Sequence, residues 1–247
     1  MQRFQIEPEL TEEHLRIVER RTELARLVAQ AHQRKSVLVY GPEGVGNTRL
    51  LQEFVRTQPL ALYISQSRSP HDLLLALVNC LRQVGARGVP SSTSTMATSS
   101  LKGIVNRALD AQPFLLVLDH LKAPSRVVTK IIKELNYYGR TPMLLGARSP
   151  HMEDIGALQP ICADKSERLE VTNWPSPIAL EFARHEAQRT RLFASNLEAA
   201  LESIARSSDG NPGSIVNMVK MAHQSKYWMD DQIKFHVLYL DFRMGRR

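Results

Sequence analysis

The residues Gly41-Pro42-Glu43-Gly44-Val45-Gly46-Asn47-Thr48 match the pattern G-x-x-x-x-G-K-[ST] at every constrained position but one. A loop of this kind presents backbone N–H groups to nucleotide phosphates, its lysine reaches the outer phosphates and its hydroxyl holds magnesium. Asn47 stands where the lysine belongs, so the loop can wrap an anion but carries no ammonium to grip it. A hydrogen bond to a charged group contributes about 1.5–3 kcal/mol, so triphosphate affinity is expected to drop by about one to two decades. The loss in phosphoryl transfer should be larger, because the lysine also offsets developing charge. Arg49 is next in sequence, but adjacent helix positions diverge by about 100°, which makes it a poor substitute.

Such a loop works only between a strand and a helix. Ser36-Val37-Leu38-Val39-Tyr40 is a short apolar run ending in the glycines, and Leu50, Leu51, Phe54 and Val55 give residues 48–57 a helical spacing. Upstream, Leu15, Val18, Leu24, Leu27, Val28 and Ala31 predict an amphipathic helix within 13–34, firmest from Thr22. Downstream, strands are expected at 60–65, 114–119, 142–147 and 169–171, and helices at 70–84, 101–109 and 126–138. The serine- and threonine-rich stretch 91–100 reads as a loop too polar to be packed. Strands alternating with helices imply an α/β fold with a parallel sheet flanked by helices.

The composition changes at Trp174-Pro175-Ser176-Pro177. Helices are expected beyond it at 178–186, 197–207 and 214–223, the last after the turn Gly210-Asn211-Pro212-Gly213. Residues 233–242 fit strand and helix equally. The chain thus divides into a sheet domain over 1–173 and a small helical domain with a tail over 174–247.

Three further groups fall where ligands bind in open α/β sheets, at the carboxyl ends of strands. Asp119 ends the apolar run from Phe114 and is placed to hold magnesium through water, opposite Thr48. His120 follows, either a proton acceptor or a surface histidine. Arg148 and Ser149 close the strand 142–147, where a guanidinium can sense a terminal phosphate. The 247 residues carry a net charge of +7, which fits a nucleic-acid partner as readily as a solvated basic surface. Cys80 and Cys162 lack the spacing of a zinc site or a disulfide framework. The longest apolar run, from Leu73 to Val78, is too short to span a bilayer, and the first residues show no apolar signal core, so a cytoplasmic location is expected.

Together these residues resemble the AAA+ superfamily and its STAND relatives, which include archaeal-type, origin-recognition-like and transposition-helper ATPases; the resemblance covers about residues 15–223. Residues 41–48 look like Walker A, 114–119 like Walker B and 144–149 like a sensor-1 strand. Ile17-Val18-Glu19-Arg20-Arg21-Thr22-Glu23-Leu24 is similar to an h-h-G-R-E-x-E-L motif through Arg20 and Glu23, and Gly210-Asn211-Pro212 is similar to the G-x-P of a helical lid.

The resemblance implies a site for ATP or ADP with Mg2+ between sheet domain and lid. Gly41, Pro42, Glu43, Gly44, Val45, Gly46, Asn47, Thr48, Arg49, Arg20 and Pro212 would face the nucleotide. Thr48 and Asp119 would hold the metal, and Asn47, Asp119, His120 and Arg148 would occupy the catalytic positions. It also implies a homo- or hetero-oligomer. Asn47 replaces the lysine, His120 the glutamate after Walker B, and Gly213 sits where many lids carry an arginine. A nucleotide-dependent conformational switch with weak or absent hydrolysis is the leading expectation. The alternatives are a non-enzymatic scaffold or inactive subunit of an ATPase assembly, and a DNA-binding transposition or replication helper.

Overall fold

The computed structural model describes residues 20–65, 69–93, 95–137 and 141–245. The expected helix start before residue 20, with Ile17, Val18 and Glu19 of the N-terminal motif, lies outside the described residues, as do Tyr138 and the last two arginines. The chain divides into two compact units, one over Thr22–Thr172 and the other from Asn173 onward together with Arg20 and Arg21.

The first unit is built on five strands, β1 (Val37–Tyr40), β2 (Ala61–Ile64), β3 (Leu115–Leu121), β4 (Met143–Ala147) and β5 (Arg168–Glu170), in the order β2-β3-β4-β1-β5. Every pairing is parallel. Side chains alternate across the sheet as strand geometry requires. Leu38, Leu116, Leu118 and Leu145 enter one core, whereas Val37, Val39, Leu115, Val117 and Leu144 enter the other.

Helices α1 (Arg21–His32) and α2 (Asn47–Thr57) cover the second face through Leu27, Leu50, Leu51 and Phe54. Helices α3 (Pro70–Gln83), α4 (Thr98–Ala111) and α5 (Arg126–Tyr137) cover the first through Leu73, Leu77, Leu101, Val105, Val128 and Ile132. Leu51 and Phe54 are fully buried, each stabilising by about 1.5–3 kcal/mol. That anchoring fixes the helix whose first turn continues the glycine loop.

The chain leaves β1 toward β2 and leaves β4 toward β5, in opposite directions across the sheet. The neighbours β1 and β4 therefore form the topological switch point, outside whose carboxyl ends open α/β sheets bind ligands. Tyr40 lies opposite Ala147 there, so the glycine loop and Arg148 emerge side by side.

One expectation for this unit changes. Helix α4 begins at Thr98, inside the stretch read as loop, with His71 Nδ1 and Thr98 Oγ1 3.3 Å apart at its start. Thr93, in the same stretch, is buried, because the Arg82 guanidinium donates to its hydroxyl at 3.0 Å and satisfies the polar group inside the fold. The β4–β5 connection carries no long helix. It is the four-residue α6 (Met152–Ile155) followed by 3-10 turns over Gly156–Cys162 and Lys165–Glu167, interrupted by Gly156 at φ 53 and by Pro160.

The second unit packs α7 (Ser176–Arg189), α8 (Leu197–Ser207), α9 (Pro212–Ala222) and α10 (Phe235–Met244) around Ala183, Leu201, Ile204, Ile215, Met218 and Leu238. The ambiguous stretch resolves into both forms. Ile233 ends a small antiparallel hairpin, β6 (Trp228–Met229) with β7 (Gln232–Ile233), and Phe235 opens α10. Asn211 caps α9, its side-chain oxygen accepting from Ser214 N at 3.0 Å, and Gly210 at φ 70 passes directly against the Trp174 carbonyl, where a side chain has no room. Among the described residues, no helix is long and apolar enough to cross a membrane.

Candidate functional site

The glycine loop turns directly from β1 into α2. Gly44 (φ 81) and Gly46 (φ 104) adopt left-handed backbone angles that glycine takes without strain, and Val45 is buried with its N–H donating to Pro42 O at 3.1 Å. A buried Val45 pins the middle of the loop and leaves its backbone to form the rim. Helix α2 has no acidic residue in its first turn, so its positive end faces the loop unneutralised by its own side chains.

Asn47 turns back into the fold. Its Nδ2 donates to Ala147 O at 3.1 Å and to Gly41 O at 3.4 Å, tying the loop to the end of β4. Both partners are carbonyls, which fixes the amide's orientation. Its Oδ1 is buried and, among the described residues, has no hydrogen-bond partner.

Asp119 is 5% exposed at the end of β3. One carboxylate oxygen accepts from Tyr63 OH at 2.8 Å and the other from the His120 N–H at 2.7 Å. Burial, then the Asp119 charge and hydrogen bond, push the Tyr63 phenol well above its usual range, so it remains a donor. Gly146 in β4 makes room for the carboxylate: a Cβ there would lie 2.5 Å from Asp119 Oδ1 and 2.7 Å from Leu51 Cδ1. Tyr63 and Gly146 position Asp119, and neither stood out in sequence. The available signal was a lone glycine inside an apolar strand, which marks close approach.

His120 occupies a left-handed backbone angle, φ 53, at an irregularity in the β3–β4 pairing. Its Nε2 lies 3.2 Å from Thr48 Oγ1 and 3.6 Å from Asp119 Oδ2. Thr48, Asp119 and His120 are thereby brought to one point beside the loop. Arg148 reaches across the crevice to form an ion pair with Glu43, both groups largely exposed. Such a pair stabilises little, about 0–1 kcal/mol, and parts at small cost. Arg49 is half-buried in the first turn of α2, whereas Pro42 is exposed on the loop.

Arg20 and Pro212 belong to the second unit. There the buried Arg20 guanidinium lies 5.5 Å from the Trp174 ring centroid, and Pro212 is buried at the first position of α9.

The donor set of Thr48 hydroxyl and Asp119 carboxylate suits Mg2+, a hard cation that takes oxygen ligands and keeps several waters. Both Asp119 oxygens retain lone pairs beyond their hydrogen bonds. Among the described residues no cluster of three histidine, cysteine or acidic side chains forms a self-sufficient metal site.

No family model and no curated protein sequence matches the chain. Solved structures do. A Walker-type ATPase of Pyrococcus abyssi is 15% identical with a TM-score of 0.63, covering 98% of this chain and 75% of its own. Cdc6p of Pyrobaculum aerophilum is 12% identical at 0.58, over 85% of this chain and 62% of its own. The RuvB Holliday junction branch migration motor of Thermotoga maritima is 17% identical at 0.54, over 91% and 67%. These neighbours are AAA+ P-loop ATPases, and the chain has their fold: a parallel sheet flanked by helices, followed by a helical C-terminal region.

Proposed function

We propose that the chain binds ATP or ADP with Mg2+ on the glycine loop and that occupancy, rather than turnover, is its output. The backbone N–H groups of Glu43, Gly44, Gly46, Asn47 and Thr48 take the phosphates, since Pro42 has none and that of Val45 serves the Pro42 carbonyl. Thr48 and Asp119 hold the cation, and Arg148 releases Glu43 to meet the terminal phosphate. For Arg20 and Pro212 the support is resemblance alone. The observation that carries the reading is Asn47: its amide braces the cradle against the Ala147 and Gly41 carbonyls while bringing no positive charge to the phosphates.

When bound, Mg2+ would neutralise phosphate charge. The chain's own contribution is to fix the anion with backbone dipoles and to orient the carboxylate through Tyr63. His120 stands where a carboxylate base would polarise water. Losing one charge-stabilising donor costs about 10²–10³ in rate, so turnover is expected at least about a hundredfold below the ~10 s−1 common among enzymes. Phosphate release measured alongside ATP binding tests this; turnover near ~10 s−1 contradicts it. Absence of binding at millimolar ATP would leave a scaffold or an inactive subunit.

A second reading, contact with nucleic acid, is favoured by helix α5. Arg126, Lys130, Lys133 and Tyr137 recur at helical spacing on one face and line a groove of about 580 Å3 with Pro160 and Ile161. Tyr137 is 79% exposed. Cations along a groove with an aromatic platform suit a single strand, whose phosphates they neutralise and whose bases stack on the ring. Glu134 on the same helix is engaged by Lys102 at 2.5 Å. The triple change Arg126→Glu, Lys130→Glu and Lys133→Glu is expected to flatten the salt dependence of single-strand binding by about two units of slope, from about −0.7 per phosphate contact. Fluorescence anisotropy of a labelled oligonucleotide across salt concentrations measures it; an unchanged slope places the contact elsewhere.

A further inference from the structure

We infer that His120 is a third protein ligand to the divalent cation, and that the site therefore prefers a first-row transition cation such as Mn2+ to Mg2+. The inference rests on nucleotide binding at the loop and specifies the cation that accompanies it.

His120 Nε2 stands 3.2 Å from Thr48 Oγ1 and 3.6 Å from Asp119 Oδ2. Adjacent ligands on a six-coordinate cation with bonds of about 2.0–2.1 Å are roughly 3 Å apart. Both oxygens thus flank the imidazole nitrogen at about the separation that neighbouring ligands of one ion show, and the imidazole is more than half exposed.

The backbone supports the placement. At φ 53 His120 holds a conformation that a non-glycine residue adopts at a cost, and its N–H is bonded to the adjacent carboxylate. That bond and the Tyr63 hydroxyl fix the carboxylate from both sides, as outer partners do around metal ligands.

The chemistry then chooses among cations. Hydroxyl and carboxylate oxygens suit Mg2+ and Mn2+ alike, but imidazole favours the transition series. A carboxylate side chain in place of His120 would have kept an all-oxygen set. With two strong protein donors and one hydroxyl, the remaining positions fall to phosphate oxygens and water, so the cation binds with nucleotide and weakly without it.

The test uses the full chain with Mn2+ and ADP. Electron spin-echo modulation of bound Mn2+ is expected to show 14N coupling from one imidazole, converting to 15N coupling when the protein is grown with 15N-histidine. Labelling requires no substitution, so folding is not at issue. In His120→Asn, which tolerates the left-handed angle, the imidazole signal should vanish. Its preference for Mn2+ over Mg2+ should fall to that of the free nucleotide. Bound Mn2+–ADP without histidine coupling overturns the ligand assignment while leaving the nucleotide site intact. Absence of bound ADP with either cation overturns the nucleotide reading and this inference with it.

Discussion

A Gly41→Ala variant is expected to melt roughly 6–12 °C below the unsubstituted chain. Gly41 leaves β1 against the backbone of Val171, and an added Cβ collides with the Val171 carbonyl oxygen while lying 2.9 Å from Val45 Cγ1. Neither neighbour can give way. The carbonyl belongs to the strand-end connection, where the Val171 N–H bonds Tyr40 O at 2.7 Å, and Val45 is 1% exposed. Forcing extra atoms into such a place costs about 1–3 kcal/mol in cores and more against rigid backbone. At about 3 kcal/mol, a unit of this size loses about 2–4 °C per kcal/mol. Calorimetric melting measures it, and a shift within about 2 °C would mean that the loop leaves β1 along another path. Nucleotide binding should vanish with the same substitution even below the melting point, because the displaced loop no longer presents its amides to one point.

Asn47→Lys is the second, and it works in the opposite direction. Affinity for Mg-ATP is expected to rise at least about tenfold, since a charged hydrogen bond contributes about 1.5–3 kcal/mol. In the nucleotide-free chain the ammonium can donate to Ala147 O and Gly41 O, the two carbonyls that Asn47 Nδ2 now serves. The buried Oδ1, which among the described residues lacks a partner, disappears with the amide. Stability should therefore hold while binding tightens. Titrations of both proteins under the same salt decide it, and equal affinities would mean that position 47 does not face phosphate.

The two predictions draw on parts of the site that differ in how far they could be read from sequence. The loop, Asp119 and Arg148 were legible because each follows a continuous apolar run, the mark of a strand buried on both faces. Helix α2 was legible from the recurrence of Leu50, Leu51 and Phe54. Tyr63 and Gly146 were not, because their roles depend on lateral order: β3 lies between β2 and β4, and only that arrangement puts both beside Asp119.

The same holds for His120. Its identity suggested a proton acceptor or a bystander, and its approach to Thr48 became visible only with the backbone turned to φ 53. Helix α4 starts earlier than its apolar residues suggest because Thr98, Ser99 and Ser100 form its first turn, before the buried face begins at Leu101. The hairpin of β6 and β7 is too short for any periodicity to show.

The central claim is that the backbone amides of the glycine loop hold the polyphosphate although the lysine is missing. Isothermal titration of Mg-ATP into the unsubstituted chain tests it most directly. The expected result is saturable binding at one site with a dissociation constant of about 10–100 μM, competed by ADP and lost in Gly41→Ala. No heat and no competition at millimolar ATP would contradict the account.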